Sequence, residues 1–103
     1  MQTDTIEEKK HPTEIQPFAT DFTNVIPDGD SISDQDVTVQ EVSSGTDVTD
    51  DMLVNGSVQL STNTVTCLIQ AGSAGTKYFI DFWATMGGGA LFLGRRVLKV
   101  ASS

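Results

Sequence analysis

The segment Lys77–Met86 (KYFIDFWATM) constrains the fold more than any other part of the chain. Tyr78, Ile80, Phe82, Ala84 and Met86 fall on one parity, and Phe79, Asp81, Trp83 and Thr85 on the other, which is the two-residue period of a β-strand. The first set reads as core. The second set carries two large aromatics, so the strand has apolar groups on both faces. Gly87-Gly88-Gly89 permits a tight reversal, and Ala90 to Ala101 returns as the last strand of a hairpin.

The preceding sequence has the same rhythm in shorter pieces. Phe18, Thr20 and Phe22 alternate with Ala19, Asp21 and Thr23, and Pro27-Asp28-Gly29-Asp30 supplies the turn that follows. Val37 and Val39 open a second alternating run. Ser43 to Asp51 is a Ser, Thr, Asp and Gly cluster, hence a loop, and Leu53-Val54 before Asn55-Gly56 reads as a short edge strand. Val58 and Leu60 begin another strand. From Thr64 to Gln70, the residues Val65, Cys67 and Ile69 point one way and Leu68 the other, which makes Cys67 a buried core thiol. No segment has a convincing helical period. About six or seven short strands with regular turn signals predict an all-β fold, an Ig-like antiparallel β-sandwich, over residues 17–103.

Residues 1–16 differ. They are polar and mixed in charge, with Ile6 and Ile15 as the only large aliphatics, and His11-Pro12 interrupts any helix begun at Thr5 to Lys10. The expectation is an extended N-terminal arm that packs on another chain, because it has too little apolar surface to offset its own ordering entropy.

Composition excludes several functions. The chain of 103 residues has 6 Lys+Arg against 14 Asp+Glu, a net charge of −8, which argues against a phosphate backbone and so against nucleic acid. One Cys cannot form an internal disulfide. The longest apolar clusters fall well short of the roughly 20 residues that cross a bilayer, and the amino terminus lacks a signal-peptide pattern, so cytoplasmic synthesis without membrane contact is expected. One His and one Cys, with no acidic residue tied to them and no metal-ligand spacing, give no catalytic dyad; no enzyme activity, cofactor or small-molecule substrate is expected. Asp28, Asp30, Asp34 and Asp36 crowd four carboxylates into a short stretch, but without EF-hand order they read as solvated turn acids, not metal ligands.

Several segments in order resemble a family of small phage virion proteins, the fibre–tail adaptors. They are Pro17-Phe18-Ala19-Thr20-Asp21-Phe22, Asp28-Gly29-Asp30-Ser31-Ile32-Ser33, Val37-Thr38-Val39, Thr64-Val65-Thr66-Cys67-Leu68-Ile69, Ala71-Gly72-Ser73-Ala74-Gly75-Thr76-Lys77-Tyr78 and Arg95-Arg96-Val97-Leu98-Lys99-Val100. The chain departs from the family with Val37 where a Trp usually opens the second strand, and with a glycine-rich hairpin tip. The resemblance implies an Ig-like sandwich present in multiple copies in a virion, joining neck or tail to a fibre or a neighbouring ring. The partners implied are further copies and other phage head–tail, neck or fibre proteins. A capsid decoration protein is the alternative within the same class, and a cell-surface or carbohydrate-binding Ig-like module the alternative outside it.

The candidate contact residues follow from parity. Phe79, Trp83, Leu68, Leu91 and Leu93 fall on the non-core parity, an apolar surface better explained by a neighbour than by solvent; the competing reading is a bulge that slips the parity and makes some of them core. Asp81 lies between the two aromatics, either as a charge at a subunit contact or as a solvated position beside Lys99 or Arg95 on the partner strand. Ile6 and Ile15 are the apolar groups of the arm. Residues 1–63 hold 13 acids and 2 bases, and residues 64–103 hold 1 acid and 4 bases. That polarity suits head-to-tail contact between identical subunits; the alternative is a sandwich whose sheets interleave the two halves.

Overall fold

The computed structural model describes residues 7–101. Seven strands follow in order: β1 (Glu7–Lys10), β2 (Gln16–Asp21), β3 (Ile32–Glu41), β4 (Gln59–Ser61), β5 (Thr64–Ile69), β6 (Lys77–Met86) and β7 (Leu91–Val100). A single 3-10 turn at Thr23–Val25 and one helical turn, α1 (Thr49–Met52), are the other regular elements. The strands form two sheets, β1-β7-β6-β3 and β2-β5-β4, so the protein is an all-β sandwich.

The alternation seen in the sequence decides what lies between the sheets. From the four-stranded sheet, Val37, Val39, Tyr78, Ile80, Phe82, Ala84, Met86, Leu98 and Val100 are buried; from the other, Phe18, Val65, Cys67 and Ile69. Phe22 and Ile32 close one end, and Met52, delivered by α1, closes the other. The helical turn was not legible in the Ser/Thr/Asp cluster around it: its one apolar anchor is Met52, too little for a periodic signal.

Two glycines set how closely the layers approach. A Cβ at Gly94 on β7 would stand 2.6 Å from Cγ2 of Thr20 on β2, so this position keeps the two sheets in contact opposite Phe82. Gly72, at φ +94°, passes so close to Val100 and Met52 that a Cβ would lie 2.7 Å from Val100 Cγ2.

Part of the segment expected as an arm is paired with the sandwich. Glu7–Lys10, placed in the arm by their polarity, form an edge strand parallel to β7, with Glu7 opposite Val97 and Lys10 opposite Val100. Lys10 is 2% exposed, and its ammonium donates to the carbonyls of His11 (2.9 Å) and Ala71 (2.6 Å). Backbone Ala101 N donates to Lys10 O at 2.8 Å. The segment is therefore held by backbone pairing and a lysine clamp, neither of which needs apolar content. Burial pushes the Lys10 pKa below its ordinary value, while Glu14 acts in the opposite sense. Ile6 and the rest of residues 1–6 lie outside the described residues.

Two outcomes test this core. Ile80→Ala, at a wholly buried position on the central strand, is expected to cost about 2–5 kcal/mol in a denaturant melt. Burial pushes the Cys67 thiol up to about 12. An alkylating reagent at pH 8 is therefore expected to spare the folded protein and label it only after unfolding; rapid native labelling would show that β5 is not packed as described.

Candidate contact surface on the four-stranded sheet

Register brings the outward side chains of β3, β6 and β7 into rows. Val97, Phe79 and Gln40 are opposite one another, then Arg95, Asp81 and Thr38, then Leu93, Trp83 and Asp36, then Leu91, Thr85 and Asp34. Five of the expected contact residues, Phe79, Asp81, Trp83, Leu91 and Leu93, thus share one face. Leu91 is 58% and Leu93 45% exposed, and Phe79 and Trp83 are half-buried.

The centre of this face is braced by charge. Arg95 Nε donates to Asp81 Oδ1 at 2.7 Å and Nη2 to Oδ2 at 3.0 Å, a two-pronged pair between directly opposed residues. The same guanidinium lies 4.1 Å from the centroid of the Phe79 ring, within cation–π range. Asp81 is only 4% exposed, covered by the arginine and the flanking rings, whereas parity alone suggested a solvated position. Its carboxylate, through the hydrogen bonds first and its charge second, raises the Arg95 pKa above its ordinary value, so the guanidinium stays charged. Trp83 is pinned from the other side, its indole N–H donating to Thr38 Oγ1 at 3.1 Å. These bonds fix the aromatic and arginine side chains in place on the outer face.

The remaining expected residues lie apart. Leu68 is opposite Pro17 on the outer face of the three-stranded sheet, and Ile15, 59% exposed, stands two positions before Pro17. Apolar groups are therefore displayed on both outer faces of the sandwich.

The acidic run 28–36 has a structural employment that composition did not disclose. Asp30 accepts from the backbone N–H of Ser31 (2.8 Å) and of Gly88 (3.3 Å), tying the β2–β3 connection to the glycine-rich hairpin tip. Asp34 and Asp36 sit on β3, at the sheet edge, and accept from Gln35 N (2.9 Å) and Val37 N (2.8 Å). Val39 N continues the series to Thr49 Oγ1 (2.9 Å), and Glu41 N to Thr46 O (2.9 Å). Four alternate edge donors are thus met within the chain, which blunts the edge against strand addition. Sequence reasoning missed these caps and the Lys10 clamp, because both depend on which strand is at the edge.

Fold and site together define the class: a small all-β sandwich whose polar side chains hold sheets, edges and loops in place. The family model described as podophage GP4 fiber-tail adaptor protein gp77 matches residues 10–97, and the chain belongs to that family. No curated protein matches it. Among the described residues, no helix is long and apolar enough to cross a membrane.

The Asp81–Arg95 pair yields an asymmetric expectation. Arg95→Ala leaves a buried carboxylate without its partner and is expected to cost about 2–3 kcal/mol. Asp81→Ala frees an arginine whose side chain is already 39% exposed and able to reach water, and should cost less. Urea melts of the two variants check the order, and equal losses would contradict it.

Proposed function

We propose that this chain is a non-enzymatic structural subunit of the virion neck or tail, present in multiple copies, whose outer sheet faces bind neighbouring proteins and so join tail to fibre. The membership in the fiber-tail adaptor family supports the setting. The observation that carries the contact assignment is the pre-fixed apolar face: exposed Leu91 and Leu93 beside Trp83 and Phe79, with their polar neighbours already paired internally. An exposed cluster of this kind is typical of a surface covered in an assembly. The second spot, Leu68, Pro17 and Ile15 on the opposite sheet, gives the molecule two sides to bind with, as a bridging protein requires.

The immunoglobulin-like reading of the sandwich has two supports. Strands β2-β5-β4 against β7-β6-β3 follow the order of an Ig-type sandwich. Tyr78, at the start of β6, accepts through its hydroxyl from Ser73 N at 3.0 Å, the arrangement of a tyrosine corner.

The double variant Leu91→Ser/Leu93→Ser tests the face. Both side chains are largely exposed, so the isolated chain should melt within about 1 kcal/mol of the wild type. Incorporation into particles should fall by at least about tenfold, as loss of an apolar contact cluster would cause. Normal incorporation would overturn the assignment. Copy number per particle separates the adaptor from a capsid decoration protein: a closed ring holds about a dozen copies or fewer, a coat hundreds.

A further inference from the structure

The three-stranded sheet differs from its partner in charge. Leu53 to Thr76 holds no charged residue, and on strands β2, β4 and β5 Asp21 is the only one. Its edges also differ from the capped edge of β3. β4 is three residues long, but β2 runs for six and ends the sheet among the described residues. The Phe22 N–H donates to Asn63 O at 2.8 Å, which sets the phase of the β2–β5 ladder. Gln16, Phe18 and Thr20 therefore turn their backbone groups to β5, and Pro17, Ala19 and Asp21 turn theirs outward. Leu68 O, on the far side of β5, accepts from Val54 N at 3.0 Å, in the same phase. Among the described residues, no group bonds the N–H of Ala19 or Asp21, or the carbonyls of Pro17, Ala19 and Asp21.

A row of outward amides and carbonyls at two-residue spacing is the template for another extended backbone. A second copy is a poor donor of one. Its β3 edge is capped by Asp34, Asp36 and Thr49, and its β2 edge carries Pro17. Two β2 strands paired antiparallel about Ala19 set Pro17 opposite Asp21, and the missing Pro17 N–H leaves both Asp21 carbonyls unmet. Paired about Asp21 instead, they set two carboxylates directly opposite each other. Pro17 thus works against self-pairing, while its own carbonyl stays open to a strand that has N–H groups throughout.

Resting on the reading of this chain as a virion subunit, we propose that an extended segment of a different virion protein adds to the β2 edge along Pro17 to Asp21. The outer-face side chains of the edge set the chemistry of that segment. Ile15, 59% exposed, and Pro17, opposite exposed Leu68, belong to the apolar spot of this sheet, so the segment brings an apolar side chain beside them. Asp21 is exposed, and its carboxylate is bonded only to Thr23 among the described residues, so the segment brings a Lys or Arg opposite it. Main-chain bonds hold the segment, and these two side chains set its register. The braced face of Trp83, Leu91 and Leu93 on the other sheet stays available to a second neighbour.

Amide hydrogen exchange of the wild-type chain, free and in purified particles, tests the pairing without any substitution. The Ala19 and Asp21 amides should exchange readily in the free chain and slow by at least about tenfold in the particle. Fast exchange in both states would overturn the edge pairing. If the Leu91 and Leu93 side chains are protected from oxidation in those same particles, the proposed function stands; if they are not, it falls as well. Two variants carry the second arm: Ala19→Pro removes the outward N–H and leaves the β5 ladder whole, whereas Ala19→Ser keeps that N–H. Incorporation of Ala19→Pro into particles should fall by at least about tenfold, with Ala19→Ser near the wild type. Equal incorporation of the two variants would overturn the proposal, and if the proline unfolds the chain, the exchange comparison alone decides. Sedimentation velocity of the free chain should show no self-association that Ala19→Pro removes. A wild-type dimer lost in Ala19→Pro would make a second copy the occupant and overturn the assignment to a different protein.

Discussion

A two-layer sandwich buries one face of each sheet, and β6 has large side chains on both of its faces. That constraint organises the molecule. Tyr78, Ile80 and Phe82 go inward and meet the three-stranded sheet, leaving Phe79 and Trp83 to be accommodated on the outside. The accommodation is made of polar bonds: Arg95 grips Asp81 and lies over Phe79, while Thr38 accepts the Trp83 N–H. The outer face is consequently ordered and apolar at once. Its Leu91 and Leu93 project beyond the braced centre into solvent.

The rest of the fold keeps this central hairpin in place. β3 pairs with one side of β6 along nearly its whole length, and β7 with the other. Gly94 lets β2 approach where a side chain would hold the sheets apart. Lys10 ties the edge strand β1 to the β5–β6 connection, and Tyr78 binds that connection from inside. Gly94, Lys10 and Tyr78 each contribute a missing Cβ or one or two hydrogen bonds, so stability here depends on many small fixings around one apolar core.

Much of this was legible in the sequence, and the reason is periodicity. The limits of β6 and its core set follow from strict alternation, and β5 and the opening strand β2 nearly so. What alternation cannot supply is register. Alternation puts Asp81 on the face opposite the core set, yet its burial depends on Arg95 being directly opposite and on the ring beside it. The same applies to Asp34 and Asp36, whose role as edge caps exists only because β3 ends the sheet. Lys10 was hidden for a different reason: a polar strand clamped by carbonyls has no hydrophobic signature at all. The family resemblance, carried by turn and strand motifs, agrees with the family match over residues 10–97.

The central claim is that the outer face of the β6–β7 hairpin is covered in the virion. Hydroxyl-radical footprinting of Trp83, Leu91 and Leu93, in the free chain and in purified particles, addresses it most directly. The account requires ready oxidation of the two leucines in the free chain and strong protection of all three residues in the particle. Equal oxidation in both states would contradict it and move the contact to another surface.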